Sequence, residues 1–268
     1  MDDIITMGID VGSTASKCLI LKNGRQILGT AVIPAGVGTS GPDRARSQAL
    51  NEAGLDKNSI LPTTATGYGR HRVEYADHVL SELSCHAVGA QALFPEVRTV
   101  IDIGGQDAKV IRISEDGKME AFLMNDKCAA GTGRFLDVMA RALELDISEL
   151  AEKDMLAANP VKISSTCTVF AESEVISQQA QGANIHDLVA GIHISVASRT
   201  AALVKRLGLL APAIMTGGVA LNSGVVRALE RELNTEIQVS PLAQLNGAYG
   251  AGISAYRRTE RMTGRMED

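Results

Sequence analysis

Ile9-Asp10-Val11-Gly12-Ser13-Thr14-Ala15-Ser16-Lys17 and Ile101-Asp102-Ile103-Gly104-Gly105-Gln106-Asp107-Ala108-Lys109 are two versions of one phrase, with Asp10 matched to Asp102 and Lys17 to Lys109. The likeness extends outward. Each phrase is led by an apolar strand, Ile4–Asp10 and Val97–Asp102, and re-enters an apolar run, Cys18–Leu21 and Val110–Ile113. Each run ends at a turn dipeptide suited to a tight hairpin, Asn23-Gly24 and Asp116-Gly117, before a third strand, Ile27–Ile33 and Met119–Met124. A repeat of this kind is the first thing to settle about a fold. It predicts an α/β protein of two duplicated lobes with a nucleotide cleft between them. The boundary is placed near Phe94-Pro95-Glu96, giving lobes 1–94 and 95–268. Helices are expected over Ser47–Ala53, Ser84–Leu93, Arg134–Leu145, Ser148–Ala157, Ala171–Gln181, His186–Leu207 and Gly224–Leu233, the apolar spacing being clearest in the stretch from His186.

The 268 residues suffice for such a pair, and 45% hydrophobic with 21% charged residues is ordinary for a globular chain. With aromatics at 3% and no Trp, the core must be built from Ala, Val, Ile, Leu and Met. A net charge of −5 argues against a nucleic-acid surface. No uninterrupted apolar run reaches the ~20 residues of a membrane span, and the acidic start Met1-Asp2-Asp3 is unlike a secretory leader. A cytoplasmic protein with no membrane partner is expected. The four cysteines, Cys18, Cys85, Cys128 and Cys167, are then not disulfides, and no Cys-x-x-Cys is present. The histidines show no metal-like spacing and are expected at the surface or on helices.

Phosphate binding wants backbone N–H groups aimed at anionic oxygens, which favours Gly and small residues. Gly12-Ser13-Thr14-Ala15-Ser16 and Gly104-Gly105-Gln106 fit, and the Asp at each strand end, Asp10 and Asp102, is placed to hold Mg²⁺ through water. Gln106 and Asp107 are both candidates for placing an attacking water. Lys17 and Lys109 either touch phosphate or are solvated strand lysines. One such loop alone would be a plain hairpin turn; the duplicated pair favours the nucleotide. A third element, Ala213-Ile214-Met215-Thr216-Gly217-Gly218-Val219-Ala220-Leu221-Asn222, runs a strand into a double Gly before a helix. The order of the three elements resembles the actin/Hsp70/sugar-kinase superfamily with its ribonuclease H-like lobes. Gly217 and Gly218 then stand at the adenosine, with Gln244 close by in Pro241–Ala251, and the ligand implied is ATP or ADP. No Walker A sequence is present.

Cys128 sits in Asn125-Asp126-Lys127-Cys128-Ala129-Ala130-Gly131-Thr132-Gly133, just before a helical stretch, and Cys167 likewise precedes one. A thiolate is favoured at a helix N-terminus. Cys18 and Cys85 lie in apolar segments and read as core thiols. Two thiolates are half the set of an ordinary iron–sulfur cluster, which a twofold dimer would complete; the residues by themselves leave inert thiols and metal ligands both open. Together with Asp10–Thr14, Thr66-Gly67-Tyr68-Gly69-Arg70, Asp102–Asp107 and Thr216–Ala220, the Cys128 segment resembles the activator ATPases of 2-hydroxyacyl-CoA dehydratases, in the wider BadF/BadG/HgdC family, over residues 4–257. The resemblance implies a homodimer holding one [4Fe–4S] cluster, with Cys128 and Cys167 as each copy's ligands. It implies reduced ferredoxin or flavodoxin as electron donor and a dehydratase as acceptor. It also makes Gly131 and Gly133 a turn that could report the nucleotide to the cluster. Tyr68 and Arg70 either face the partner or form a plain loop. The alternatives are a small-molecule kinase of the same fold, whose base could only be Asp43 on the loop Gly36–Asp43, a non-catalytic nucleotide-dependent module, or an activator of a benzoyl-CoA-reductase-type partner.

Overall fold

Asp10 and Lys17 face each other across an antiparallel pair, and so do Asp102 and Lys109. The repeat is therefore preserved down to register. The structure is a computed structural model describing residues 3–125, 128–164 and 167–264. Asp126, Lys127, Ser165 and Thr166 of the cysteine segments lie outside the described residues.

In the first unit β1 (Ile5–Val11), β2 (Ser16–Lys22) and β3 (Gln26–Ile33) form an antiparallel meander. Helix α1 (Gly41–Glu52) follows, and then β4 (Thr63–Thr66), β5 (His78–Val79) and α2 (Glu82–Leu93). The sheet order is β3-β2-β1-β4-β5, with β4 and β5 parallel to β1. In the second unit β6 (Thr99–Ile103), β7 (Ala108–Ile113) and β8 (Met119–Asn125) repeat the meander. They are followed by α3 (Gly133–Ala142), α4 (Leu150–Lys153), α5 (Thr168–Ala180), α6 (Ile185–Leu207), β9 (Ala213–Thr216), α7 (Ser223–Leu233) and β10 (Ile237–Val239). The order β8-β7-β6-β9-β10 is the first sheet over again. Even the irregularity recurs, with a register shift at Ile20/Leu21 in β2 and at Arg112/Ile113 in β7. The central strands β1 and β6 are buried nearly throughout, as strands covered on both faces must be. The hairpin turns differ: Asn23 and Gly24 both take positive φ, whereas in the second copy only Gly117 does, and Ser114 closes that turn through its hydroxyl.

The last helix, α8 (Asn246–Met262), belongs with the first unit. It packs on β1, β2, β4 and α2, so the chain divides into Met1–Glu96 with Leu245–Asp268 and Val97–Gln244. This corrects the expectation that residues 95–268 form one lobe. The physical reason is a small-residue contact: a Cβ on Gly8 would lie 1.9 Å from Ala248 O, and one on Gly250 1.9 Å from Cys85 O. Backbones that close belong to one core.

Other expectations also change. The stretch Ser148–Ala157 is three short turns, and α1 begins at Gly41-Pro42, putting Asp43 in a helical first turn and not on a loop. His86 and His193 lie on helices α2 and α6, within the expectation for the histidines, and both are buried. Helix α6, at 23 residues, is long and apolar enough by composition to cross a membrane, but Leu188, Val189, Ile192, Val196 and Val204 are buried in the second unit's core, the position of a core helix.

Candidate functional site

Each phosphate-loop candidate is the turn between the first two strands of its sheet. In the first, Gly12 N–H donates to Ala15 O at 2.9 Å; in the second, Gly104 N–H donates to Asp107 O, also at 2.9 Å. Ser13, Thr14 and Gln106 are exposed at the tips, and Gly12, Ala15, Gly104 and Gly105 are half-buried. Ser16 is buried, and its hydroxyl donates to Ala35 O at 2.7 Å, so the fold has taken it up.

The two aspartates are buried alike and partnered differently. Asp102 accepts from Thr216 Oγ1 at 2.9 Å on one oxygen and faces Lys109 Nζ at 3.4 Å on the other. Thr66 holds the matching register position beside Asp10, but its hydroxyl donates to Leu80 O. Asp10 is left with Lys17 at 3.0 Å on Oδ2 and, among the described residues, no hydrogen-bond partner on Oδ1. A buried carboxylate oxygen without a partner is costly unless something cationic or hydrated meets it. Asp10 therefore fits the part of a carboxylate that anchors hydrated Mg²⁺, and Asp102 fits it less well. Neither lysine is a solvated strand residue: Lys109 is 2% exposed and reaches Asp107 at 2.6 Å as well as Asp102. That pairing also holds Asp107, leaving Gln106 the outward-facing candidate for orienting water.

Gly67, quoted in the sequence as part of the Thr66–Arg70 motif but given no role there, lies against Asp10. With φ +86 it follows β4 as Gly217, φ +85, follows β9. A Cβ on Gly67 would lie 2.3 Å from Asp10 Oδ1, and one on Gly217 2.3 Å from Ile103 O. The Thr-Gly dipeptides Thr66-Gly67 and Thr216-Gly217 are the only sequence signal of this second correspondence. Arg70 donates to Gly67 O at 2.9 Å, tying it to this turn, while Tyr68 is exposed. Gly217 N–H donates to Ala243 O, and the Gln244 amide approaches Gly218, so these three residues do come together.

The cysteines divide by burial. Cys18 and Cys85 are buried, and burial pushes both thiols up to about 12. Cys128 and Cys167 are exposed. Cys167 is the N-cap residue of α5, which packs against α3, the helix that follows Cys128. The chemistry of the donor set fits a shared cluster: two accessible thiols per chain, Cys167 at a helix start and Cys128 four residues ahead of the α3 cap Thr132 and not at the helix N-terminus as expected, with the other two sealed away. At its cap and first turn, α3 is fastened to the second phosphate loop. Gly133 N–H donates to Gly104 O at 2.9 Å, Arg134 N–H to Gly105 O at 2.8 Å, and Thr132 Oγ1 to Gly105 O at 3.1 Å. Gly133 thus acts on the loop's backbone, and Gly131, at φ +89, turns the chain over Arg199.

This fold and these loops are those of an actin-like ATPase. The chain belongs to the BadF/BadG/BcrA/BcrD ATPase family, whose model matches residues 7–255. It is 57% identical to the (R)-2-hydroxyglutaryl-CoA dehydratase activating ATPase of Acidaminococcus fermentans, over 96% of this chain and 99% of that one. It is 56% identical to the 2-hydroxyisocaproyl-CoA dehydratase activator of Clostridioides difficile, over 94% of each. A solved activator of the 2-hydroxyisocaproyl-CoA dehydratase from Clostridium difficile, with bound ADPNP, superposes with a TM-score of 0.95 at 52% identity over 99% of both chains.

Proposed function

We infer that this protein hydrolyses ATP to drive one-electron transfer from reduced ferredoxin or flavodoxin to a 2-hydroxyacyl-CoA dehydratase. It acts in the cytoplasm as a homodimer with one [4Fe–4S] cluster held by Cys128 and Cys167 of both copies. The observation that carries this reading is the fastening of the Cys128–α3 segment to Gly104 and Gly105, which ties the stretch that bears a candidate thiol ligand directly to a phosphate loop. The cluster would supply the one-electron chemistry. The protein's own residues do the rest. The loops Gly12–Ala15 and Gly104–Gly105 present N–H groups to phosphate, Asp10 anchors Mg²⁺ through water, Gln106 orients the hydrolytic water, and Gly217, Gly218 and Gln244 receive the adenosine. A shift of Gly104 and Gly105 on loss of phosphate is passed through three hydrogen bonds to Thr132, Gly133 and Arg134 at the start of the helix that follows Cys128, which couples nucleotide state to the thiolate's surroundings.

The second copy is supported by the surface beside Cys167. Val169, Phe170 and Ile176 on α5 are 65%, 68% and 49% exposed, an apolar stripe that a dimer would cover. The partner is supported by identity to proteins named as activators of such dehydratases. The kinase reading finds no comparable support, since its one candidate base, Asp43, lies in the first turn of α1. Anaerobic mixing with a 2-hydroxyacyl-CoA dehydratase and a reduced donor tests the reading: dehydratase turnover should require hydrolysable ATP. ATP consumption that phosphorylates a small molecule and never activates a dehydratase would overturn it.

A further inference from the structure

His193 is fully buried in α6, yet both ring nitrogens meet polar atoms. Nδ1 lies 2.7 Å from Asp154 Oδ2 and Nε2 lies 3.1 Å from Asn222 Nδ2. Asn222 ends the turn Gly218–Leu221 and caps α7, its Oδ1 accepting from Gly224 N–H at 2.9 Å and Val225 N–H at 3.2 Å. Only the carbonyl end of an amide accepts from N–H groups, so the NH₂ end faces His193. That end donates; Nε2 must accept, and the ring proton sits on Nδ1, donated to Asp154. Burial works against the Asp154 carboxylate, but its hydrogen bonds from His193 and Arg227 outweigh it and hold the group below the ordinary carboxylate range. Arg227 comes from α7 and also donates to Ala151 O at 3.0 Å, so helix and turn are tied to one half-buried carboxylate. The fit is tight: a Cβ on Gly224 would lie 2.3 Å from His193 Nδ1.

We propose that the Asp154–His193–Asn222 relay is a positioning device for the nucleotide turn Gly217–Asn222. The proposal rests on the assignment of that turn to adenosine. Gly217 N–H to Ala243 O fixes one end of the turn, and the relay fixes the other. Ser, Thr or Asp would cap α7 as well as Asn; among these caps, Asn alone carries a second group that donates to a buried ring nitrogen while its oxygen caps. His193 acts through Asn222 and is a positioning residue.

The test uses the whole chain, purified anaerobically, with ADP as the probe, and compares His193→Phe, Asn222→Ser and Gly217→Ala. Asn222→Ser keeps a capping oxygen but drops the link to His193, and its half-buried site keeps the test open should His193→Phe fail to fold. Each relay variant should weaken ADP binding about tenfold, the effect of losing a buried hydrogen bond that holds a binding group in place. The double variant should be no weaker than the worse single. Histidine-selective ¹⁵N spectra of the wild type should show His193 with its proton on Nδ1 and a bare Nε2. Wild-type ADP affinity in Asn222→Ser while Gly217→Ala binds weakly overturns the relay alone. Unchanged affinity in Gly217→Ala overturns the turn's assignment and the relay with it. A proton on Nε2 overturns the relay on its own.

Discussion

Asp10 and Asp102 occupy one register position in two sheets, and a single hydroxyl decides how they differ. Thr216 completes Asp102, whereas Thr66 turns to Leu80 and leaves Asp10 Oδ1 open. Asp10→Asn should therefore lower ATP turnover by about a hundredfold or more, the scale on which a preorganised charged group acts, with ADP affinity largely kept. An equal loss of ADP binding would place Asp10 elsewhere. Lys109→Ala should cost about 3–5 kcal/mol of unfolding free energy, because it removes the cation facing the buried Asp102 carboxylate; Lys17→Ala, at a more exposed pair, should cost less in a denaturant titration. The thiols give a pH dependence whose sign is fixed. Burial raises Cys18 and Cys85 from the ordinary 9.0 to about 12, so the unfolded chain gives up these protons first. Their contribution to stability is full below about pH 9 and is lost as pH climbs towards 12. Alkylation of the folded apo-protein at pH 8 should accordingly label Cys128 and Cys167 and spare the other two. The split of the cysteines was legible in the sequence from their neighbours. The asymmetry of the aspartates was not, because nothing local says where a threonine hydroxyl will turn.

Elements were legible where a period or a turn residue marked them. The two meanders and α6 follow the apolar pattern, but β4 is Thr-Thr-Ala-Thr and β5 only two residues, so no alternation announces either. β4 is a strand because β1 offers it an edge, and β5 because β4 in turn does. Gly67 was quoted only as part of a motif and given no role for the same reason, its place depending on β4. Gly67→Ala and Gly217→Ala should each destabilise the fold by about 1–3 kcal/mol, through positive φ and a Cβ set against backbone or carboxylate oxygen. At α3 the expected coupling can be broken without touching a ligand. Thr132→Val removes one hydrogen bond to Gly105 and should leave the iron content unchanged while reducing the ATP-dependent change in the cluster's EPR spectrum. An undiminished spectral response would show that coupling runs by another route.

For the whole molecule, the repeat gave away the two sheets and misplaced the end of the chain. A Gly- and Ala-rich helix start beside Gln244 reads as part of the second lobe because it follows it in sequence; only backbone-to-backbone contact with Gly8, Gly89 and Cys85 returns α8 to the first unit. The assembly is likewise beyond one chain's periodicity, and it rests on half a ligand set and the apolar stripe beside Cys167. The central claim is that ATP hydrolysis in this fold serves a cluster shared by two copies. Iron and acid-labile sulfide analysis of the anaerobically purified protein, at its measured molecular mass, tests it most directly. The account predicts about four irons per dimer, lost in Cys128→Ser and in Cys167→Ser and retained in Cys85→Ala. A colourless, iron-free anaerobic preparation with full ATPase activity would contradict it.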